Sequence, residues 1–312
     1  MRNILSIRGG GIRGIIPCCC LIELEKQLGG LTREHIDMCA GTSTGALLAA
    51  AVAVGIPATD ILKVYTDRSH EIFTPTGAVA AAKRVAVGFM YDPKHLYDVM
   101  VSVFGPSAEW KINDSPIRVV IIATAMDGHN WFFVRDNPHN AGTTGGVKLV
   151  DAAVASACAP TYFDHWKIDN MPVNGTPTTL RFFDGGAGGT ANPTYQACVE
   201  AFEYDDFDPK ETNMVELGTG YYPAPDTPPC GLIGTIGWVT GTLVDTSEDW
   251  VDKAVSRQWP NLLQSLNPEL PTDIDEADTS AIPTLVKIGQ QLAATLDWKE
   301  LLSPGASINA AD

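Results

Sequence analysis

Residues 36–54 read IDMCAGTSTGALLAAAVAV, which is an apolar run, a Gly-x-Ser-x-Gly turn and a run of small apolar residues. Ile36–Ala40 predicts a β-strand, and Ala46–Val54 predicts a helix. The glycines two residues either side of Ser43 keep side chains out of a tight turn between the two. Such a turn favours a nucleophilic Ser43 near the positive end of the helix, and the alternative is a serine that only caps the helix.

A second strand–turn–helix unit precedes this one. Ile4–Ile7 predicts a strand, the loop Gly9–Gly14 follows it, and Ile15–Leu28 predicts a helix with Pro17 in its first turn. Bare backbone N–H groups in such a loop suit an anion, either the pyrophosphate of a dinucleotide or the oxyanion of an acyl-transfer reaction. Asp37 lies too early in its strand to reach a ribose, which favours the oxyanion.

The remaining chain continues the alternation of strands and helices, which predicts an α/β fold with a mostly parallel sheet. Further strands are predicted at Arg118–Ala125, Trp131–Arg135, Leu180–Phe183 and Met214–Leu217, and helices at Thr59–Ile72, Pro93–Val103, Val150–Ala157, Pro193–Phe202, Thr246–Leu266 and Thr284–Leu302. We expect a catalytic region over residues 4–220 and an acidic, helical C-terminal extension, residues 221–312, packed on the same domain.

Asp184 is the conspicuous acidic partner for Ser43. It follows the apolar run Leu180–Phe183 and precedes two glycines that permit a sharp turn. All six histidines precede Asp184, so the Ser–Asp–His order of α/β-hydrolases is impossible with this acid. A triad in another order remains open, as does a Ser–Asp dyad in which the carboxylate itself takes the proton. The alternative without catalysis is an ordinary Asp-Gly turn.

The net charge of −16 is unevenly distributed. Residues 1–190 carry 16 basic and 17 acidic side chains, whereas residues 191–312 carry 5 and 20. This acidity argues against nucleic-acid binding. The nearly neutral first part can approach an anionic bilayer, and the acidic part is expected to face water or a partner.

Membrane contact, if it occurs, is expected to be peripheral. No apolar stretch is long enough to span a bilayer, and Phe73–Tyr91, which contains Lys83 and Arg84, is either an interfacial flap or an ordinary packed helix and loop. Seven cysteines without a disulfide or metal pattern, and an N-terminus without a signal-peptide core, predict a cytoplasmic protein.

Three motifs, in this order, resemble the patatin-like phospholipase family: the loop Gly9–Gly14, the turn Gly41–Gly45 and Asp184-Gly185-Gly186. Ala155–Phe163 and Leu217–Gly220 add to the likeness, which covers residues 4–220. The resemblance implies a patatin-like three-layer fold, with a mostly parallel central sheet flanked by helices.

The resemblance also implies a carboxylic ester hydrolase of the phospholipase A or lysophospholipase type, acting on phospholipid or lysophospholipid through an acyl-enzyme without a metal or cofactor. Ser43 would be the nucleophile, Asp184 the base, and the amides of Gly10, Gly11 and Ile12 the oxyanion donors. The other motif residues are Gly9, Arg13, Gly14, Gly41, Gly45, Gly185 and Gly186.

Two arginines lie in or next to the glycine loop. Arg13 either pairs with an acid, which we favour, or orients a lipid phosphate. Arg8 stands where the family usually has Asp, and we expect it to be structural or near the rim of the site.

The alternative functions are an acyltransferase or small-ester esterase with the same site, a nucleotide-binding oxidoreductase or sensor, and a non-catalytic storage or interaction protein.

Overall fold

The computed structural model describes residues 1–73, 89–138, 142–173, 175–223 and 246–303. Its centre is an eight-stranded sheet in the order β5-β6-β3-β2-β1-β7-β8, with β4 also paired to β3. The strands are β1 Arg2–Ile7, β2 Met38–Thr42, β3 Arg118–Ala125, β4 Asn130–Phe133, β5 Trp166–Val173, β6 Thr176–Asp184, β7 Thr212–Leu217 and β8 Leu263–Leu266. Strands β1, β2, β3, β7 and β8 pair in parallel, whereas β4, β5 and β6 pair antiparallel. The sheet is mostly parallel, as expected.

Helices cover both faces of this sheet. They are α1 Ile15–Leu28, α2 Thr44–Val54, α3 Ala58–Ile72, α4 Pro93–Phe104, α5 Leu149–Ala157, α6 Thr194–Val199, α7 (residues 246–258), α8 Ile282–Ala293 and α9 Trp298–Leu301. Helix α1 has Pro17 in its first turn and ends at Gly29, whose φ is 73°. None of the helices in the described ranges is long and apolar enough to cross a membrane.

The core divides into two main clusters because successive strand residues point to opposite faces of the sheet. Leu5 and Ile7 pack with α1 to α5 on one face, and Ile4 and Met38 pack with α6 and α7 on the other. The result is three layers, helices–sheet–helices, which confirms the predicted α/β class. Helix α2 is buried nearly all round, which explains why it consists almost entirely of small apolar residues.

The C-terminal region differs from the prediction. The helix predicted over Thr246–Leu266 ends at residue 258, and the last four residues form β8, which pairs in parallel with β7. Pro260 disfavours helical geometry at the residue before it, so the chain leaves the helix there.

Strand β5 is not predicted from the sequence, because its side chains are mostly polar or half-exposed. In the segment proposed for membrane contact, residues 74–88 lie outside the described residues.

Candidate active site

Ser43 occupies a strained turn between β2 and α2. Its φ and ψ are 57° and −127°, a region that non-glycine residues rarely adopt. A Cβ on Gly41 would lie 2.1 Å from the Gly45 carbonyl oxygen, and a Cβ on Gly45 would lie 2.1 Å from that of Ile7. The two flanking glycines are therefore required by the close approach of helix and strands, as the spacing predicts.

Ser156 on α5 holds this turn and was not identified as a functional residue from the sequence. The Ser43 N–H donates to Ser156 Oγ at 2.9 Å, and that hydroxyl donates to the Ile122 carbonyl oxygen at 2.5 Å. Ser156 is fully buried, so it ties the turn to β3 without contact with solvent. The sequence feature that could have identified Ser156 is its position as a single hydroxyl residue in the apolar second half of α5.

Asp184 lies level with Ser43 because the strands that lead to these two residues, β6 and β2, both pair with β3. Thr42 is opposite Ile122, and Asp184 is opposite the next residue, Ala123. One carboxylate oxygen, Oδ1, accepts the Gly186 N–H at 2.7 Å. The other, Oδ2, is buried and has no hydrogen-bond partner within the described ranges. A free carboxylate oxygen at the nucleophile is what a general base requires, and such contacts often tighten only when substrate binds.

The protein environment shifts the pKa of the Asp184 carboxyl towards neutral pH. Burial raises the pKa of Asp184 to about 7, and the Glu276 carboxylate adds to the increase. The nearby Ser43 hydroxyl and the Gly186 N–H favour the ionised form and lower the pKa, but they offset the increase only in part. A base with a pKa near the working pH combines an available ionised form with useful basicity.

The glycine loop lies directly against Ser43. A Cβ on Gly9 would be 3.0 Å from Ser43 Cβ. Gly10 and Gly11 have φ values of 149° and 56°, both in the region that favours glycine. Their N–H groups form no hydrogen bond within the described part of the chain, so both remain available to an acceptor.

The expectation that Ile12 supplies a third oxyanion donor is not met in this structure. Its N–H donates to the Glu276 carbonyl oxygen at 2.7 Å. An amide has a single hydrogen, and this one is already used. The Arg13 guanidinium pairs with the Glu276 carboxylate at 3.1 Å and donates from Nε to the Gly10 carbonyl oxygen at 3.3 Å, so Arg13 pairs with an acid as favoured.

The remaining motif glycines permit close packing around the site. A Cβ on Gly14 would lie 2.4 Å from Thr44 Oγ1, and one on Gly185 would lie 2.5 Å from the Ile122 carbonyl oxygen. Gly186 contributes the N–H that binds Asp184 Oδ1. These glycines allow the three motif segments to meet.

Arg8, the departure from the family pattern, is a buried structural residue. Its guanidinium binds both carboxylate oxygens of Glu216, and also Glu248 at 2.9 Å and Asp252 at 2.5 Å. Burial opposes the charge of Arg8, but the three carboxylates outweigh it and raise its pKa. The expectation that the acidic part of the chain faces water or a partner is therefore wrong for these three side chains, because they pair with Arg8, the residue after β1.

An apolar cavity opens at Ser43 between α2, α3 and α4. Its walls are almost entirely apolar, and it is partly open to solvent. Leu47, Val64, Met100 and Val103 are among the side chains that line it. Such a cavity can bury a long apolar group beside the nucleophile. Within the described ranges, no group of three His, Cys, Asp or Glu side chains is placed to hold a metal ion.

Comparison with known proteins gives one family. The family model described as Patatin-like phospholipase matches residues 5–197. A cGAMP-activated phospholipase of Escherichia coli is 31% identical, over 70% of this chain and 62% of that protein. One of Vibrio cholerae is 28% identical, over 93% of this chain and 90% of that protein. The chain thus spans less than two thirds of the Escherichia coli relative. Among solved structures, VipD from Legionella pneumophila matches with a TM-score of 0.48 and 13% identity, over 96% of this chain and 67% of that one.

Proposed function

Because the chain belongs to the patatin-like phospholipase family, we propose that it is a serine lipid acyl hydrolase that cleaves fatty-acyl esters of phospholipid or lysophospholipid. Ser43 is the nucleophile, Asp184 is the general base, and the N–H groups of Gly10 and Gly11 stabilise the oxyanion. The observation that carries the proposal is the meeting of Ser43, the unpartnered Oδ2 of Asp184 and the apolar cavity at one point.

The first half of the reaction forms an acyl-enzyme. Asp184 Oδ2 takes the hydroxyl proton as Ser43 Oγ attacks the ester carbonyl carbon, and the carbonyl oxygen becomes an oxyanion. The amides of Gly10 and Gly11 bind that oxygen. The ester C–O bond then breaks, and the leaving alcohol takes the proton from Asp184.

The second half hydrolyses the acyl-enzyme. Asp184 removes a proton from water as the water oxygen attacks the acyl carbon. The new tetrahedral intermediate collapses, the fatty acid leaves, and Ser43 recovers its proton from Asp184. One carboxyl therefore serves as base and acid in both halves, which a pKa of about 7 suits.

The cavity supports a lipid substrate over a small polar ester. Burying a methylene is worth about 0.8 kcal/mol, so an apolar cavity at the nucleophile favours substrates with acyl chains long enough to fill it. A peripheral approach to the bilayer is consistent with the low net charge of residues 1–190.

A fluorophosphonate probe tests the nucleophile directly. We expect covalent labelling of wild-type protein at Ser43, located by peptide mass spectrometry, and none of Ser43→Ala. Thr42→Ser is the matched control, because it keeps a hydroxyl beside the nucleophile and is expected to label normally. Labelling elsewhere, or equal labelling of Ser43→Ala, would refute the assignment.

Product analysis distinguishes the remaining activities. With phospholipid, lysophospholipid and short-chain esters, a hydrolase releases free fatty acid, whereas an acyltransferase moves the acyl group to an added alcohol. Preference for short esters over long ones would instead favour a small-ester esterase. The relatives above are named for activation by cGAMP, so labelling and hydrolysis are measured with and without it.

A further inference from the structure

Thr219 lies just beyond β7 and packs against the glycine loop. Its hydroxyl donates to the Gly9 carbonyl oxygen at 2.6 Å, and the residue is 3% exposed. A Cβ on Gly10 would lie 2.3 Å from Thr219 Oγ1, so this threonine fills the space in which a side chain would otherwise stand. The segment Leu217–Gly220 stood out in the sequence only for its likeness to a family.

The hydrogen bond from Thr219 sets the direction of the Gly10 N–H. In a planar trans peptide, the C=O of one residue and the N–H of the next point in opposite directions. Because the Gly9 carbonyl points at Thr219, the Gly10 N–H points away from it. Glycine has wide rotational freedom, so this peptide plane depends on its contacts.

The other contacts of the loop fix the neighbouring peptide planes. The Gly9 N–H, which donates to the Ala191 carbonyl oxygen at 2.9 Å, belongs to the preceding peptide. Arg13 binds the Gly10 carbonyl oxygen, which belongs to the following one. Within the described residues, Thr219 is the side chain that holds the Gly9–Gly10 plane.

We propose that Thr219 is a positioning residue for the oxyanion hole, whose hydroxyl presents the Gly10 N–H to the oxyanion formed at Ser43. The inference rests on the proposed function. Oxyanion donors accelerate acyl transfer because they are oriented before the reaction begins. Deleting one donor lowers kcat by about 10²- to 10³-fold, so a donor that is retained but released from its orientation should cost about 10- to 100-fold.

Two substitutions separate the hydroxyl of Thr219 from the rest of its side chain, and a third at another residue is the control. Thr219→Val removes the hydroxyl and keeps the branched shape, whereas Thr219→Ser keeps the hydroxyl and loses the methyl. Thr212→Val is the matched control at the other end of β7, where Thr212 Oγ1 donates to the Asp208 carbonyl oxygen at 2.7 Å. The measurements are kcat and KM for a p-nitrophenyl ester and the Ki of a trifluoromethyl ketone, which forms a tetrahedral adduct with a reactive serine.

We expect Thr219→Val to lower kcat by about 10- to 100-fold, to weaken the ketone by a similar factor and to leave KM unchanged. Thr219→Ser and Thr212→Val should stay close to wild type. The inference would be overturned if Thr219→Ser lost as much activity as Thr219→Val, or if Thr219→Val lost no more than Thr212→Val. A change in KM alone would also overturn it.

Two further outcomes remain decisive. If Thr219→Val does not fold, Thr219→Ala and Thr219→Ser replace it as a pair that differs only in the hydroxyl, with the same expected contrast. A wild-type chain that neither hydrolyses the ester nor takes the fluorophosphonate label refutes the proposed function and this inference with it. An active wild type with an unaffected Thr219→Val refutes the role of Thr219 alone.

Discussion

Replacing Asp184 with Asn should abolish ester hydrolysis and, above neutral pH, stabilise the fold. The carboxyl is 4% exposed, and burial raises its pKa from 3.8 to about 7. A carboxyl whose pKa is raised by folding binds its proton more tightly in the folded chain. Its stabilising contribution is therefore complete below the unfolded pKa and is lost as the pH rises through the folded pKa.

The magnitude follows from those two pKa values. Between pH 5 and pH 8 the wild-type chain should lose about 3 kcal/mol of unfolding free energy from Asp184 alone. Asparagine does not titrate, so the stability difference in favour of Asp184→Asn should widen by that amount over the same interval. The proposed mechanism requires the ionised carboxylate, so wild-type kcat/KM should rise with pH through about pH 7, while stability falls.

Urea unfolding followed by tryptophan fluorescence at pH 5, 6, 7 and 8 measures this difference. Asp67→Asn, on the exposed side of α3, is the control and should show no such widening. A stability difference between wild type and Asp184→Asn that is constant across these pH values would refute the reasoning. A wild type more stable than Asp184→Asn at pH 8 would also do so, because the carboxylate would then have a favourable buried partner.

The cavity and the buried arginine give two further predictions. Val103→Phe fills part of the cavity, so a chain-length series of p-nitrophenyl esters should shift toward shorter acyl groups, by about 0.8 kcal/mol for each methylene excluded; an unchanged series would exclude the cavity as the acyl site. Arg8→Met leaves the fully buried Glu216 and its neighbour Asp252 without their cation, and should cost about 3–5 kcal/mol at pH 7.5 in urea unfolding. The cost should be smaller at pH 5.5, because burial raises the pKa of Asp252 above its ordinary value and its carboxylate takes up a proton more readily. The exposed pair of Arg2 with Asp37 is the comparison, and Arg2→Met should cost less than about 1 kcal/mol.

Local patterns were sufficient for much of the site. The turn at Ser43 and the loop after β1 follow from steric limits on neighbouring residues, which the sequence displays directly. Helix α1 matches its predicted bounds, Ile15–Leu28, because a glycine loop and a terminal glycine mark its ends. Strand β5, which pairs with the strand that ends at Asp184, was not predicted, since a polar, half-exposed strand has no clear pattern.

The amino-acid sequence by itself indicated the residues that we propose for the chemistry: the Ser43 turn, the glycine loop and the carboxyl of Asp184. Only the tertiary structure decided how they are arranged. Strand register brings Asp184 level with Ser43, burial raises its pKa, and a carbonyl more than 260 positions away takes the Ile12 N–H from the oxyanion loop. The physical reason is range: turns and caps depend on adjacent residues, whereas burial and hydrogen-bond partners depend on segments that meet only when the chain is folded.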